Sequence, residues 1–146
     1  MRFRSTYKTA RAVLHCDARY LLAVHSSFWA KRHRRWGLVG GRVERGEDPL
    51  TAAQREIEEE LELYLPANDF VSLGSFFYKG ADHAVYGVDT HEPVTIYDDT
   101  ELLDTRWFTL DEIDELKRNG ELHAGYELDA IARFGNARGS TSTSRG

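Results

Sequence analysis

Cysteine is nearly absent: Cys16 is the only one in 146 residues, so no disulfide can close within the chain. It sits in an apolar run, where a thiol serves as a small buried residue more often than as a nucleophile. Long apolar runs are missing as well. No stretch approaches the roughly 20 residues needed to span a bilayer. The opening Met1-Arg-Phe-Arg-Ser-Thr-Tyr-Lys8 has no apolar segment of the signal-peptide kind. A cytoplasmic protein with no membrane partner is the default expectation. A basic excess is missing too: 19 Lys and Arg stand against 24 Asp and Glu, a formal net charge of −5. That balance argues against general nucleic-acid binding. There is no internal repeat and no interdomain linker. A single domain over 1–135 is expected, followed by a Gly/Ser/Thr/Arg-rich tail, 136–146, with too little apolar surface to order itself.

What is present suffices for a core, at 41% hydrophobic and 12% aromatic residues. Residues 9–16 and 20–25 read as two strands joined by a turn at 17–19. The loop over 26–35 carries Lys31, Arg32, His33, Arg34 and Arg35 between Trp29 and Trp36. Such a run is often only solvated charge. Its place just ahead of a glycine-rich turn also makes Arg34 and Arg35 candidates for phosphate contact. Residues 70–79 and 83–89 read as two more strands and 90–105 as a polar, acidic loop. A short strand over 106–110 then leads to a short helix over 111–116, capped by Thr109 or Asp111. A last helix is expected over 126–134.

The chain is organised around 41–63. The stretch opens as a glycine-rich turn and becomes a helix, with Asp48 suited to the N-cap and Pro49 to the first helical position. Leu50, Ala53, Ile57 and Leu61 recur at helical spacing and form one apolar stripe. Glu56, Glu59 and Glu60 fall at i, i+3 and i+4 and share another face. These acids lie in the second half of the helix, where the macrodipole favours cations. Carboxylates about 5 Å apart repel by roughly 3 kcal/mol at an effective dielectric near 20. A solvated charged face is the plain explanation for a Glu-rich helix. Three carboxylates on a rigid helix are equally an oxygen-donor platform for a hard cation such as Mg²⁺ or Mn²⁺.

The segment resembles the signature box of the Nudix hydrolases. Gly41, Glu47, Arg55, Glu56, Ile57, Glu59, Glu60 and Leu63 stand at the spacing of that box, and Glu62 replaces its usual Gly. Trp36-Gly-Leu-Val-Gly-Gly41 resembles the family's Trp-x-Leu-Pro-Gly-Gly, with Val39 for Pro. The resemblance implies an α/β fold, an α/β/α sandwich with a mixed β-sheet between helices. It implies a metal-dependent hydrolase that cleaves a diphosphate linkage in a nucleoside diphosphate joined to another group X, for example a (d)NTP. Mg²⁺ or Mn²⁺ is the implied cofactor, a small nucleotide-type molecule the implied partner, and a homodimer stays open.

By the same resemblance, Glu56, Glu59 and Glu60 coordinate metal together with the carbonyl of Gly40. Glu56 or Glu59 also handles the attacking water. Arg55 orients a carboxylate, and Glu47 either braces the loop or reaches the metal through water. Gly41 is expected to face the substrate, and Arg34 or Arg35, from their place just before Trp36 and the glycine turn, to contact its phosphates. Family members often add one acid from the loop before the late Trp-containing strand; Glu101 is the choice here over Asp98, Asp99 and Asp104. Because a non-Gly residue at position 62 is costly in the left-handed conformation, an altered turn is expected after the helix. The substrate stays open. Lys79 stands where an ADP-ribose type carries Pro, and Tyr78 lies near a Tyr of the dinucleoside-polyphosphate type. Gly41-Arg-Val43, Arg106-Trp-Phe-Thr109 and Leu122-His-Ala124 loosely resemble the GDP-mannose mannosyl hydrolases. A non-catalytic nucleotide-binding module is the rival reading; the retained Arg55, Glu56, Glu59 and Glu60 weigh against it.

Overall fold

A computed structural model describes residues 6–27 and 33–143. Trp29, Lys31 and Arg32 of the basic loop lie outside the described residues. Six strands form one mixed sheet: β1 (Tyr7–Cys16), β2 (Arg19–His25), β3 (Val39–Arg42), β4 (Val71–Tyr78), β5 (Ala81–Asp89) and β6 (Leu102–Phe108). The strand order is β4-β5-β1-β2-β6, with β3 paired to β1. The β1–β5 pair is parallel and the other pairs are antiparallel. One edge of β1 is shared: its first half pairs with β3 at Thr9–Ala12, and its end pairs with β2 at His15 and Cys16. The glycines of β3 are thereby laid beside Arg11.

Three helices cover the sheet: α1 (Pro49–Leu61), α2 (Leu110–Arg118) and α3 (Glu127–Thr143). The side-chain alternation of β1 explains the layers, since successive residues of a strand point to opposite faces. Ala12 and Leu14 pack with Ile57 and Leu61 of α1. Val13 packs with Ile113 of α2 and Ile131 and Phe134 of α3. The result is the expected α/β/α sandwich. Tight packing of α3 is visible at Gly87, where an added Cβ would come within 2.4 Å of the Phe134 ring. Cys16 is buried and free, as expected.

Several boundaries differ from expectation, each for a local reason. The β1–β2 turn is the residue pair Asp17–Ala18, with φ of 50° and 61°, and Arg19 already pairs with Cys16. The β4–β5 turn is Lys79–Gly80, with φ of 50° and 73°. Both are two-residue hairpin connections with positive φ at each position, whose twist matches the flanking strands. Strand β5 therefore begins at Ala81 rather than His83, and β6 begins at Leu102 inside the supposed polar loop, because Leu102 is fully buried.

Asp48 occupies the N-cap of α1 but makes no side-chain cap hydrogen bond. Thr109 caps α2 in a full capping box with Glu112. Glu62 does not alter the turn after α1. It takes φ 53°, ψ 38°, the left-handed conformation a glycine would take, and its N–H donates to the Glu58 carbonyl at 2.9 Å. The cost of a Cβ there is carried. Where disorder was expected from 136, α3 continues to Thr143. Its continuation is supported at Arg138, whose guanidinium lies 5.1 Å from the Phe134 ring and 3.5 Å from Asp89.

Candidate active site

The exposed-looking acids of α1 differ sharply once folded. Ile57 and Leu61 are buried against the sheet. Glu60, at the border of their stripe on the helical wheel, is drawn in with them and is only 2% exposed. Its Oε1 accepts a hydrogen bond from the Gly40 N–H at 3.0 Å, and its Oε2 lies 3.6 Å from His25 Nδ1. Burial pushes the Glu60 carboxyl up to about 8; Glu56 and Glu101 raise it further, while the Gly40 N–H and Arg11 oppose. His25 Nε2 donates to the Leu38 carbonyl at 2.9 Å. Burial, assisted by Arg11, lowers His25 to about 4. The imidazole is therefore neutral at pH 7, and Nδ1 presents a lone pair to Glu60.

Glu56 lies one turn earlier, and its carboxylate rests against the backbone of Gly41. A Cβ added at Gly41 would sit 2.5 Å from the Glu56 carboxyl carbon. Gly40 is equally constrained: at φ +132°, an added Cβ would come within 2.2 Å of the Ala10 carbonyl oxygen. The glycine pair thus serves close approach of backbone to strand on one side and to carboxylate on the other. Burial raises Glu56, Arg55 opposes, and Glu59 and Glu101 add to the rise. Val39, in place of Pro, is a buried strand residue paired with Ala12.

Arg55 organises the rest. Its Nε and Nη2 donate to the two oxygens of Glu47, at 2.8 and 3.0 Å. Nη1 donates to Glu56 at 2.9 Å and reaches both oxygens of Glu59 at 3.4 Å. Nη2 also donates to the Arg42 carbonyl at 3.0 Å. The hydrogen bond from Arg55 is the main cause lowering Glu47. Of the two roles open to Glu47, the geometry shows the brace: it holds Arg55 and, through the Glu44 N–H at 3.0 Å, the loop.

These groups border a cleft of about 950 Å³. Glu56, Glu59, Glu60 and Glu101 line it; Asp98, Asp99 and Asp104 do not. Arg35 lines it as expected, whereas Arg34 is absent from its walls and instead donates to Asp104 at 2.7 Å. Arg34 is thus spent on an ion pair in the β6 region rather than on the cleft. The Gly40 carbonyl, expected to face a metal, accepts from Arg11 Nη1 at 3.0 Å.

Arg11, His25, Lys79 and His123 also line the cleft and were not anticipated. Arg11 left one signal, as a lone cation in the middle of an apolar strand, Thr9-Ala-Arg-Ala-Val-Leu14. Lys79 and His123 carried none, because only the fold brings the β4–β5 turn beside the segment before α3.

The sequence model for the NUDIX domain matches residues 6–127. The chain belongs to the Nudix family. As a Nudix protein it is a hydrolase, and its fold agrees with solved Nudix structures. It superposes on a NUDIX hydrolase from Nitrosomonas europaea with a TM-score of 0.67 at 21% identity, covering 91% of this chain and 90% of that one. It matches a mutT/nudix family protein from Listeria innocua with a TM-score of 0.69 at 20% identity, covering 97% and 99%. A C. elegans Ap4A hydrolase, solved as a binary complex, matches with a TM-score of 0.62 at 20% identity, covering 89% and 99%. No curated protein matches in sequence.

Nudix hydrolases generally need a divalent metal, and the donor chemistry here fits one. Glu59 and Glu101 raise the proton affinity of Glu56, and Glu56 and Glu101 raise that of Glu60. Among the described residues, no three His, Cys, Asp or Glu side chains are gathered tightly enough to form a ready ligand cluster. Arg55 instead pairs with Glu56 and Glu59.

Proposed function

We propose that this Nudix hydrolase cleaves a diphosphate linkage in a nucleoside diphosphate joined to a group X, such as a (d)NTP, with Mg²⁺ or Mn²⁺. The observation that carries the reading is Glu60, a fully buried carboxylate held at the wall of a cleft beside Glu56 and Glu101. A carboxylate removed from water without a permanent cationic partner is costly. It is retained where its charge is used.

In this reading Glu56, Glu59, Glu60 and Glu101 would hold the metal, with the Gly40 carbonyl, which accepts from Arg11 here, as a further oxygen donor. A bound divalent ion neutralises phosphate charge and acidifies water. Glu56 or Glu59 takes the proton of the attacking water; both sit on the rigid helix α1, within reach of Arg55. Arg55 fixes their geometry and Glu47 fixes Arg55. The cleft is also lined by the cations Arg11, Arg35, Arg42 and Lys79, which would orient the phosphates. Two permanent features of the cleft therefore address the two ends of one problem, a polyanionic ligand that repels its nucleophile. The C. elegans neighbour is an Ap4A hydrolase, which supports a substrate of that general kind on this fold. A single buried, unpaired cysteine accords with a reducing compartment such as the cytoplasm.

The test is product analysis on (d)NTPs, nucleotide sugars, ADP-ribose and dinucleoside polyphosphates, with Mg²⁺, with Mn²⁺ and with excess EDTA. Cleavage between phosphorus atoms that stops with EDTA is the expected outcome. Full turnover in EDTA, or tight binding without turnover across the panel, overturns the reading.

A further inference from the structure

A second, smaller cavity of about 160 Å³ adjoins the cleft. Arg11, Tyr78, Lys79 and His123 line both spaces, so the smaller one is a side pocket of the larger. Its remaining walls include Lys8 and His83. Three permanent cations and two imidazoles thus line a space large enough for a phosphate group. Among the described residues no carboxylate lines it, and none of Lys8, Arg11 and Lys79 is within ion-pairing distance of one.

The pocket is also built. Lys79 sits in the two-residue β4–β5 turn, which fixes its backbone. The Tyr78 hydroxyl donates to the His123 carbonyl at 3.2 Å. His83 is buried, held by Thr9 Oγ1 at 2.6 Å and donating through Nε2 to the Tyr78 carbonyl at 3.1 Å. The Tyr126 and His83 rings stack at 6.2 Å. Like charges brought together repel one another, and an anionic ligand relieves that repulsion. The strain shows at His123, which desolvation, Arg11, Lys79 and His83 all push down.

We propose that this side pocket is an anion subsite that holds a phosphomonoester of the substrate, beside the diphosphate being cleaved. The substrate class that follows is a nucleoside diphosphate derivative bearing one further phosphate. As a substrate subsite this rests on the proposed hydrolase activity; as an anion site it does not. The carboxylates of α1 would face the diphosphate in the cleft, and the adjoining side pocket would take the extra dianion.

Two experiments test it. In the first, isotope-labelled protein in EDTA is titrated with inorganic phosphate while the His83 and His123 imidazole resonances are followed. Saturable shifts are expected, weakened about tenfold or more in Lys8→Gln and Lys79→Gln, since each removes a cation from a shared anion site. No saturable shift, or shifts indifferent to both substitutions, overturns the anion site whether or not the protein hydrolyses anything. In the second, ADP is compared with its 2′- and 3′-phosphorylated forms as ligands by calorimetry with Ca²⁺. The additional phosphate is expected to tighten binding about tenfold or more in the wild type, a gain lost in Lys8→Gln. Equal affinity of all three compounds overturns the substrate subsite, while the hydrolase reading stands or falls on turnover alone.

Discussion

Arg55 and Glu47 meet as a two-point fork, Nε to Oε2 at 2.8 Å and Nη2 to Oε1 at 3.0 Å. The pairing joins the glycine-rich loop to the middle of α1 across eight residues of sequence. It leaves Nη1 aimed at Glu56 and Glu59. Lysine carries the same charge without a planar fork. Arg55→Lys and Glu47→Gln should therefore each cost about 2 kcal/mol of stability, the scale of a hydrogen bond to a charged group. Both should also lower kcat by about tenfold or more, through misplaced carboxylates. Thermal melts and steady-state kinetics measure the two effects; unchanged kcat in both variants would reduce the fork to a loop staple.

Glu60 gives the metal-free protein a pH signature. Its folded pKa is raised to about 8 from 4.5, so the folded state keeps a proton that the unfolded chain releases. Stability then falls as pH rises through that window. His25 works in the opposite sense, being lowered from 6.5 to about 4, and gains stability as pH rises to 6.5. The two oppose each other below pH 6.5, and Glu60 alone acts from there to about 8. In chelator, stability should decline across that upper window by up to about 1.4 kcal/mol per pH unit, the slope of one proton. Glu60→Gln should flatten the decline and lower kcat by orders of magnitude. A melting temperature that stays level from pH 6.5 to 8 in the wild type would remove the inference.

Position 62 tests the cost of a side chain in the left-handed region. Glu62 closes α1 at φ 53° and makes the backbone bond to Glu58 that a glycine would make. A residue with a Cβ pays roughly 1–2 kcal/mol for that conformation. Glu62→Gly should stabilise the protein by about 1 kcal/mol, after allowing for the greater freedom of glycine in the unfolded chain. Activity should be unchanged, because no atom of Glu62 lines the cleft. A destabilised Glu62→Gly variant would show that the carboxylate has a compensating partner.

The chain disclosed its helix α1, its carboxylate face and the strand hairpins through local rules, which act over a few residues. Periodicity sets Glu60 at the border of the apolar stripe and Glu59 on the far side of the helix, but it could not say what would meet Glu60 there. The sheet decides: Gly40 of β3 reaches Glu60, while Glu59 stays 55% exposed. Arg34 and Arg35 are adjacent and equally basic in sequence, yet Asp104, seventy residues away, takes one of them. Arg11, Lys79 and His123 become neighbours only because β1 lies in parallel with β5 and the β4–β5 turn folds over its start. Such juxtapositions are set by topology, and no short-range pattern encodes them.

Gly41 is explained by Glu56 rather than by backbone freedom. The nearest atoms to an added Cβ belong to the Glu56 carboxylate, at 2.5 to 2.7 Å. A flexible side chain can move aside cheaply, so Gly41→Ala should change stability by less than about 1 kcal/mol. Displacing the carboxylate should nevertheless lower kcat by about tenfold or more, since a misplacement of about 1 Å is enough for that. Equal losses of melting temperature and activity would instead point to a damaged strand β3.

Glu101 is the acid that the loop before β6 contributes to the cleft. Its three rivals are engaged elsewhere or outside the walls. The Asp98 carboxylate accepts from Thr100 N and Oγ1 at 2.9 and 2.7 Å, and its backbone N–H donates to the Glu60 carbonyl at 2.7 Å. Asp104 accepts from Arg34 at 2.7 Å, and Asp99 does not line the cleft. The Glu101 backbone is pinned on both sides, its N–H donating to the Asp98 carbonyl at 3.1 Å and its carbonyl accepting from Ser26 at 2.9 Å. Its carboxylate is close enough to Glu56 and Glu60 to raise the proton affinity of both. An acid so placed adds a fourth oxygen donor to the face of α1. Glu101→Gln should therefore weaken Mn²⁺ binding, followed by calorimetry, and lower kcat by about a hundredfold, while Asp99→Asn stays within about twofold of wild type. Asp104→Asn should lose stability with its Arg34 pair and keep its affinity for Mn²⁺. Weakened metal binding confined to the Asp99 or Asp104 variant would transfer the role to that residue, and undiminished binding and turnover in all three would take the loop out of the mechanism.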